Sequence, residues 1–193
     1  GAVMVDGVDI RELGTEQLMS RLSMVFQDVY LFDDSLIANI RVGRPDASDE
    51  EVFRAADLSG VTSIANRLGW HTPVGEGGRL LSGGERQRVS VARALLKQAP
   101  IVLFDEATSA LDAENEANIL AAMDELREQS TFIVIAHKLD TIKSADQIVV
   151  LDEHGQVSQL GTHSELSDVP GIYRHFWQQR KAARGWKINS GRD

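Results

Sequence analysis

The chain has 193 residues, of which 42% are apolar, and it contains no cysteine. That length suits one domain with a subdomain and a sizeable core, and the absence of cysteine excludes disulfides and thiolate-based metal or redox sites. The net charge of −9 argues against broad nucleic-acid binding, no apolar run approaches the roughly 20 residues of a membrane span, and the start Gly1-Ala2-Val3-Met4-Val5-Asp6 lacks the features of a secretory leader.

In chain order, apolar runs suited to strands come first at 2–5 and 22–26. Gln27 follows the second run. A neutral amide at a strand end can ligate a metal or position water, although most are simply polar. From about Asp28 to Leu96 strand candidates are few, and the stretch predicts a mostly helical insertion. Within it, Ser48 is placed to cap a helix over 49–58. The run Leu81-Ser82-Gly83-Gly84-Glu85-Arg86-Gln87 opens a second helix, predicted over 85–97 and ended by Pro100. A hydroxyl and two glycines at a helix start offer free backbone N–H groups to a phosphate. Ser82-x-x-Glu85 is equally an ordinary capping box, which needs no ligand.

Ile101–Phe104 predicts a buried strand that delivers Asp105 and Glu106 at its carboxyl end, where open α/β sheets bind ligands. Side chains alternate along a strand, so the two carboxylates face different ways. One can then hold a hydrated Mg²⁺ while the other addresses a water. The plain alternative is two solvated acids opening a loop. Asp112 is placed to cap a helix over 113–128, which carries Ile119, Leu120, Met123 and Leu126 at helical spacing. Another buried strand over 132–135 leads into Ala136-His137. A lone histidine is more often a core or loop residue than a ligand. Further strands are predicted over 148–151 and 156–160, and strands alternating with helices imply a parallel α/β sheet. Residues 174–193 carry six basic residues and one acid, with Phe176, Trp177 and Trp186 among them. They predict a terminal helix anchored on its own domain or, alternatively, touching a membrane or an acidic partner.

The joint order of these features resembles the nucleotide-binding domain of an ATP-binding cassette (ABC) transporter of exporter type. Leu81–Gln87 and the helix after it resemble the signature motif, Val102–Glu106 the Walker B strand, and Ser109–Asp112 the D-loop. Ala136-His137 resembles the switch histidine and Val25–Asp28 the Q-loop. Val74–Gly78 is similar to the segment exporters press against their membrane domains. The resemblance covers 1–173 and implies an α/β, P-loop NTPase-like ATPase core over 1–27 and 98–173. A helical subdomain over 28–97 and a basic tail over 174–193 complete it. It implies ATP and Mg²⁺ as ligands. Its partners would be a transmembrane domain, in the same or another chain, and a second such domain docked head to tail as a homo- or heterodimer. The place of work would be the cytoplasmic face of the cell membrane.

The resemblance also implies roles. Ser82, Gly83, Gly84 and Gln87 would bind the nucleotide held by the partner domain, and Asp105 would organise Mg²⁺ with Gln27. Glu106 would be the general base, His137 would stabilise transition-state charge, Asp112 would cross the dimer interface, and Glu76 would touch the coupling region. One departure stands out. The phosphate-loop pattern Gly-x4-Gly-Lys-Ser/Thr is absent, since none of Lys97, Lys138, Lys143, Lys181 and Lys187 follows a glycine. The expectation is therefore a piece truncated after the Walker A region, with N-terminal strands and the Walker A helix missing and a sheet edge or face left uncovered. Two other readings are a non-catalytic module that lends its signature motif to another subunit, and a non-transport ATPase of DNA repair or translation. The acidic body and the Val74–Gly78 segment weigh against the last.

Overall fold

The computed structural model describes residues 1–105, 113–135 and 143–186. They fall into two compact units, 1–135 and 136–193.

The first unit opens with an antiparallel hairpin, β1 (Met4–Val5) and β2 (Val8–Asp9). Its turn residues Asp6 and Gly7 both have positive φ, 51° and 78°, the backbone a two-residue hairpin turn requires. Helix α1 (Thr15–Arg21) leads directly into β3 (Leu22–Val25). The helical insertion follows, with α2 (Leu36–Arg41), α3 (Asp49–Leu58) and α4 (Val61–Leu68), a 3₁₀ turn over Glu76–Gly78, and α5 (Gly83–Lys97). Then come β4 (Ile101–Asp105), α6 (Ala113–Gln129) and β5 (Thr131–Ile135). Parallel pairing in the order β3-β4-β5 requires long crossovers, which the insertion and α6 supply.

Ser48 caps α3, as the sequence predicts, and the structure adds a reciprocal capping box with Glu51. Helix α5 ends at Lys97 as predicted and begins two residues earlier than predicted, at Gly83. It stops at Lys97 because Gln98 turns left-handed, with φ 52° and ψ 40°, while its N–H donates to the Ala94 carbonyl; Pro100 lies beyond this stop. Along α5 Val89, Val91, Ala92, Ala94, Leu95 and Leu96 are all buried. The helix contacts α2, α3, α4, α6 and β3, and so forms the axle of the unit.

One face of the sheet is packed. Val25, Val102 and Phe104 are buried, and Phe104 meets Phe132 with ring centroids 5.6 Å apart. Ile119, Met123 and Leu126 of α6 join the same core. The opposite face is open, in line with the uncovered edge or face expected above, although its strands read as buried runs. Met24, Ile133 and Ile135 are exposed, because the described helices cover only one side of the sheet.

Gly43, just past α2, marks a close approach. A Cβ there would stand 2.3 Å from the Arg93 carbonyl oxygen of α5. Backbone cannot yield as a side-chain tip can, so Gly43→Ala should lower the stability of the chain by about 1–3 kcal/mol in urea unfolding.

The second unit pairs β6 (Ile148–Leu151) antiparallel with β7 (Val157–Gly161) and adds α7 (His163–Asp168) and α8 (Ile172–Trp186). Tyr173 is buried, and its hydroxyl lies 2.8 Å from His163 Nδ1. Trp177 packs on the same imidazole at 4.4 Å, and Lys143 Nζ sits 4.8 Å from the Trp177 ring centroid. Trp177 is therefore anchored within its own unit. Among the described residues no helix is long and apolar enough to cross a membrane.

Candidate functional site

The parallel register brings predicted site residues to one edge. Val25 pairs with Phe104, so Gln27 lies just past the carboxyl end of β3, beside the end of β4 where Asp105 is the last residue. Asp105 pairs in turn with Ile135, the last residue of β5 and two residues before His137 in sequence. Neighbouring strands lie about 4.8 Å apart, so the three strand ends form one narrow row. Asp105 is half-buried and Gln27 exposed. Glu106, Asp112 and His137 lie outside the described residues.

The second part of the site is the start of α5. Ser82 and Gly83 are exposed and Gly84 is half-buried. Ser82 Oγ accepts from the Glu85 N–H at 3.2 Å, and Glu85 Oε2 accepts from the Ser82 N–H at 2.8 Å. The capping box read from the sequence is thus present. It leaves the N–H groups of Gly83 and Gly84 at the exposed, positive end of a 15-residue helix. Gln87 is placed differently from Ser82 and Gly83. It is buried, and its Nε2 donates to the Phe26 carbonyl at 3.3 Å. It thereby joins α5 to the end of β3, next to Gln27. Glu76 is exposed on the 3₁₀ turn, whose loop is zipped to the preceding segment by Val74 N–H donating to Asp34 O at 3.0 Å.

Glu85 ties the cap to the rest of the helical insertion through Arg67, whose Nη2 donates to Glu85 Oε1 at 2.5 Å. Burial pushes the Glu85 carboxyl up, but the Ser82 N–H and the Arg67 guanidinium outweigh it and hold the group below its ordinary value. The folded pKa is the lower one. The stabilisation is therefore complete above the unfolded carboxylate pKa and is lost as pH falls through the folded one. The difference in urea midpoint between the native chain and Glu85→Gln should accordingly shrink as pH is lowered through this acid range.

Two residues not singled out in the sequence join these parts. Arg93 of α5 donates from Nε to Asn39 O (2.7 Å), from Nη2 to Asn39 Oδ1 (2.7 Å) and from Nη1 to Tyr30 O (2.9 Å). Asn39 is fully buried. The available signal was an arginine standing among the apolar residues of a buried helix.

The residues present suit the ligands the sequence implies. A carboxylate and an amide oxygen at a strand edge are donors of the kind hard divalent cations take, and an exposed Ser-Gly-Gly helix start suits a phosphate. A solved structure described as a bacterial Atm1-family ABC exporter with ATP bound is 43% identical to this chain, with a TM-score of 0.86 over 93% of the chain and 32% of its own. The fold is thus that of an ABC-type ATPase domain. Residues 1–109 match the family model described as ABC transporter, and the chain belongs to that family. It is 46% identical over 175 residues to an ATP-dependent lipid A-core flippase of Neisseria meningitidis serogroup A, covering 90% of the chain and 28% of the flippase. It is also 46% identical over 192 residues to the mycobactin import ATP-binding/permease protein IrtB of Mycolicibacterium thermoresistibile, covering 98% of the chain and 33% of that protein. The chain therefore spans about a third of the length of these curated relatives.

Proposed function

We propose that this chain belongs to an ATP-hydrolysing domain that powers transport across a membrane. It would work at the cytoplasmic face, coupled to a transmembrane domain and docked head to tail with a second ATPase domain. The observation that carries the reading is the parallel register that sets Gln27, Asp105 and the end of β5 in one row. The exposed Ser82 turn, which a partner domain's nucleotide can reach, adds to it.

In this reading Ser82, Gly83 and Gly84 hold the γ-phosphate of the nucleotide bound by the partner domain. Asp105, with Gln27, would hold Mg²⁺, which when bound offsets phosphate charge. Glu106 takes a proton from the attacking water, and His137 donates to the transferring phosphoryl group. Gln87 acts one step away, by fixing the start of the signature helix against β3. Asp112 crosses to the partner domain and Glu76 faces the transmembrane part. Residues 28–97 form the helical subdomain, 1–27 and 98–173 belong to the ATPase core, and 174–193 form a basic tail.

A second reading keeps the exposed Ser82 turn as its working part. Here the chain lends its signature motif to another subunit and hydrolyses nothing itself. Phosphate release separates the two. The full-length protein in liposomes should turn over ATP, and the 193-residue chain alone should show negligible turnover. A full-length protein that leaves ATP intact, alone in the membrane, would defeat the first reading and leave the second.

A further inference from the structure

The contacts of Arg93 carry an inference that rests on the proposed ATPase role. Ser82 opens α5, and Arg93 lies eleven residues further on, about 16 Å along the helix at 1.5 Å per residue. There the guanidinium leaves the helix and grips the segment that follows Gln27. Its rigid fork serves three acceptors at once, Tyr30 O, Asn39 O and Asn39 Oδ1, and its carbon lies 5.9 Å from the Phe32 ring centroid. Asn39 extends the grip. Its Nδ2 donates to the carbonyls of Phe32, Asp34 and Ser35, and its Oδ1 accepts from the Phe32 N–H at 2.9 Å. Gly43 brings the far end of the same segment against the Arg93 backbone. The Glu76 loop is fastened on by the Val74–Asp34 bond and by the Ser35–Pro73 bridge.

The connection to the sheet is lighter. Phe26, Gln27 and Asp28 are all exposed, and the bond from Gln87 to Phe26 O is 3.3 Å long. Tyr30 and Phe32 project aromatic rings that are 58% and 51% exposed, suited to a partner's apolar surface.

We propose that Arg93 is a positioning residue that makes α5 and the 30–34 segment one body, so that nucleotide engaged at Ser82 displaces the exposed Tyr30 and Phe32 together with the helix. Removing the guanidinium leaves both ends folded but lets them move independently.

Hydrogen–deuterium exchange on the full-length transporter in nanodiscs tests this, with and without ATP plus vanadate, in the native protein, Arg93→Met and Arg93→Lys. In the native protein nucleotide should slow exchange in both 82–87 and 29–34. In Arg93→Met the slowing at 82–87 should persist, while the slowing at 29–34 should fall about tenfold, within the usual range of site-to-site coupling. Arg93→Lys keeps one donor and should restore part of the response. If Arg93→Met fails to fold, Arg93→Lys carries the test alone, with a smaller loss in the same direction. Full retention of the nucleotide response at 29–34 in a folded variant would overturn the proposal. So would a native protein that responds at 82–87 alone, or a variant whose 29–34 exchange rises equally with and without nucleotide. No response at 82–87 in the native protein would refute the ATPase reading itself.

Discussion

Glu106→Gln in the full-length protein should reduce ATP turnover by between about 100- and 10,000-fold, the usual contribution of a general base, while ATP binding is kept. The substitution is nearly isosteric and removes only the capacity to accept a proton. Asp105 closes β4 at the row of strand ends, and Glu106 is the next residue in the sequence. Phosphate release and binding of a fluorescent nucleotide, measured on the same preparation, check both halves of the expectation. Undiminished turnover would remove Glu106 from the role of base.

Phe104→Ala should cost the 193-residue chain about 3–5 kcal/mol of unfolding free energy. Phe104 is 2% exposed in the central strand, packs on Phe132 and sits one residue before Asp105. Its loss opens a cavity beneath the candidate site, and the cost is a large share of the roughly 5–15 kcal/mol that holds a domain together. Ile133 in the neighbouring strand provides the contrast. Its side chain lies on the open face at 52% exposure, so Ile133→Ala should change the urea midpoint far less. Equal losses at the two positions would contradict the one-sided packing of the sheet.

Much of the site was legible because it depends on short-range order. A strand that ends in Asp-Glu must deliver its acids at its own carboxyl end, and Ser-x-x-Glu before a helix must cap it. Both features need only neighbours in the chain, and both the Asp105 position and the Ser82–Glu85 box appear in the structure. Capping and periodicity likewise fixed α3 and the apolar stripe of α6. The end of α5 at Lys97 matched the sequence reading, but its cause was not legible in the same way. Pro100 is a general stop signal, but the stop is set earlier, at Gln98, in a left-handed conformation that non-glycine residues adopt uncommonly. Which face of the sheet is open was also hidden within its strands. An apolar run records that residues avoid water, not which side finds a partner.

What the sequence by itself determined is the family and the order of its motifs: Gln27, a Ser-Gly-Gly run, the Asp105-Glu106 pair and His137. Tertiary structure alone decided how distant parts are joined. Arg93 reaches back 54 residues to Asn39 and 63 to Tyr30, and Gln87 reaches 61 to Phe26. Those bonds depend on which surfaces the hydrophobic effect presses together. That force follows area and carries no direction, so only the packed chain specifies which donor meets which acceptor.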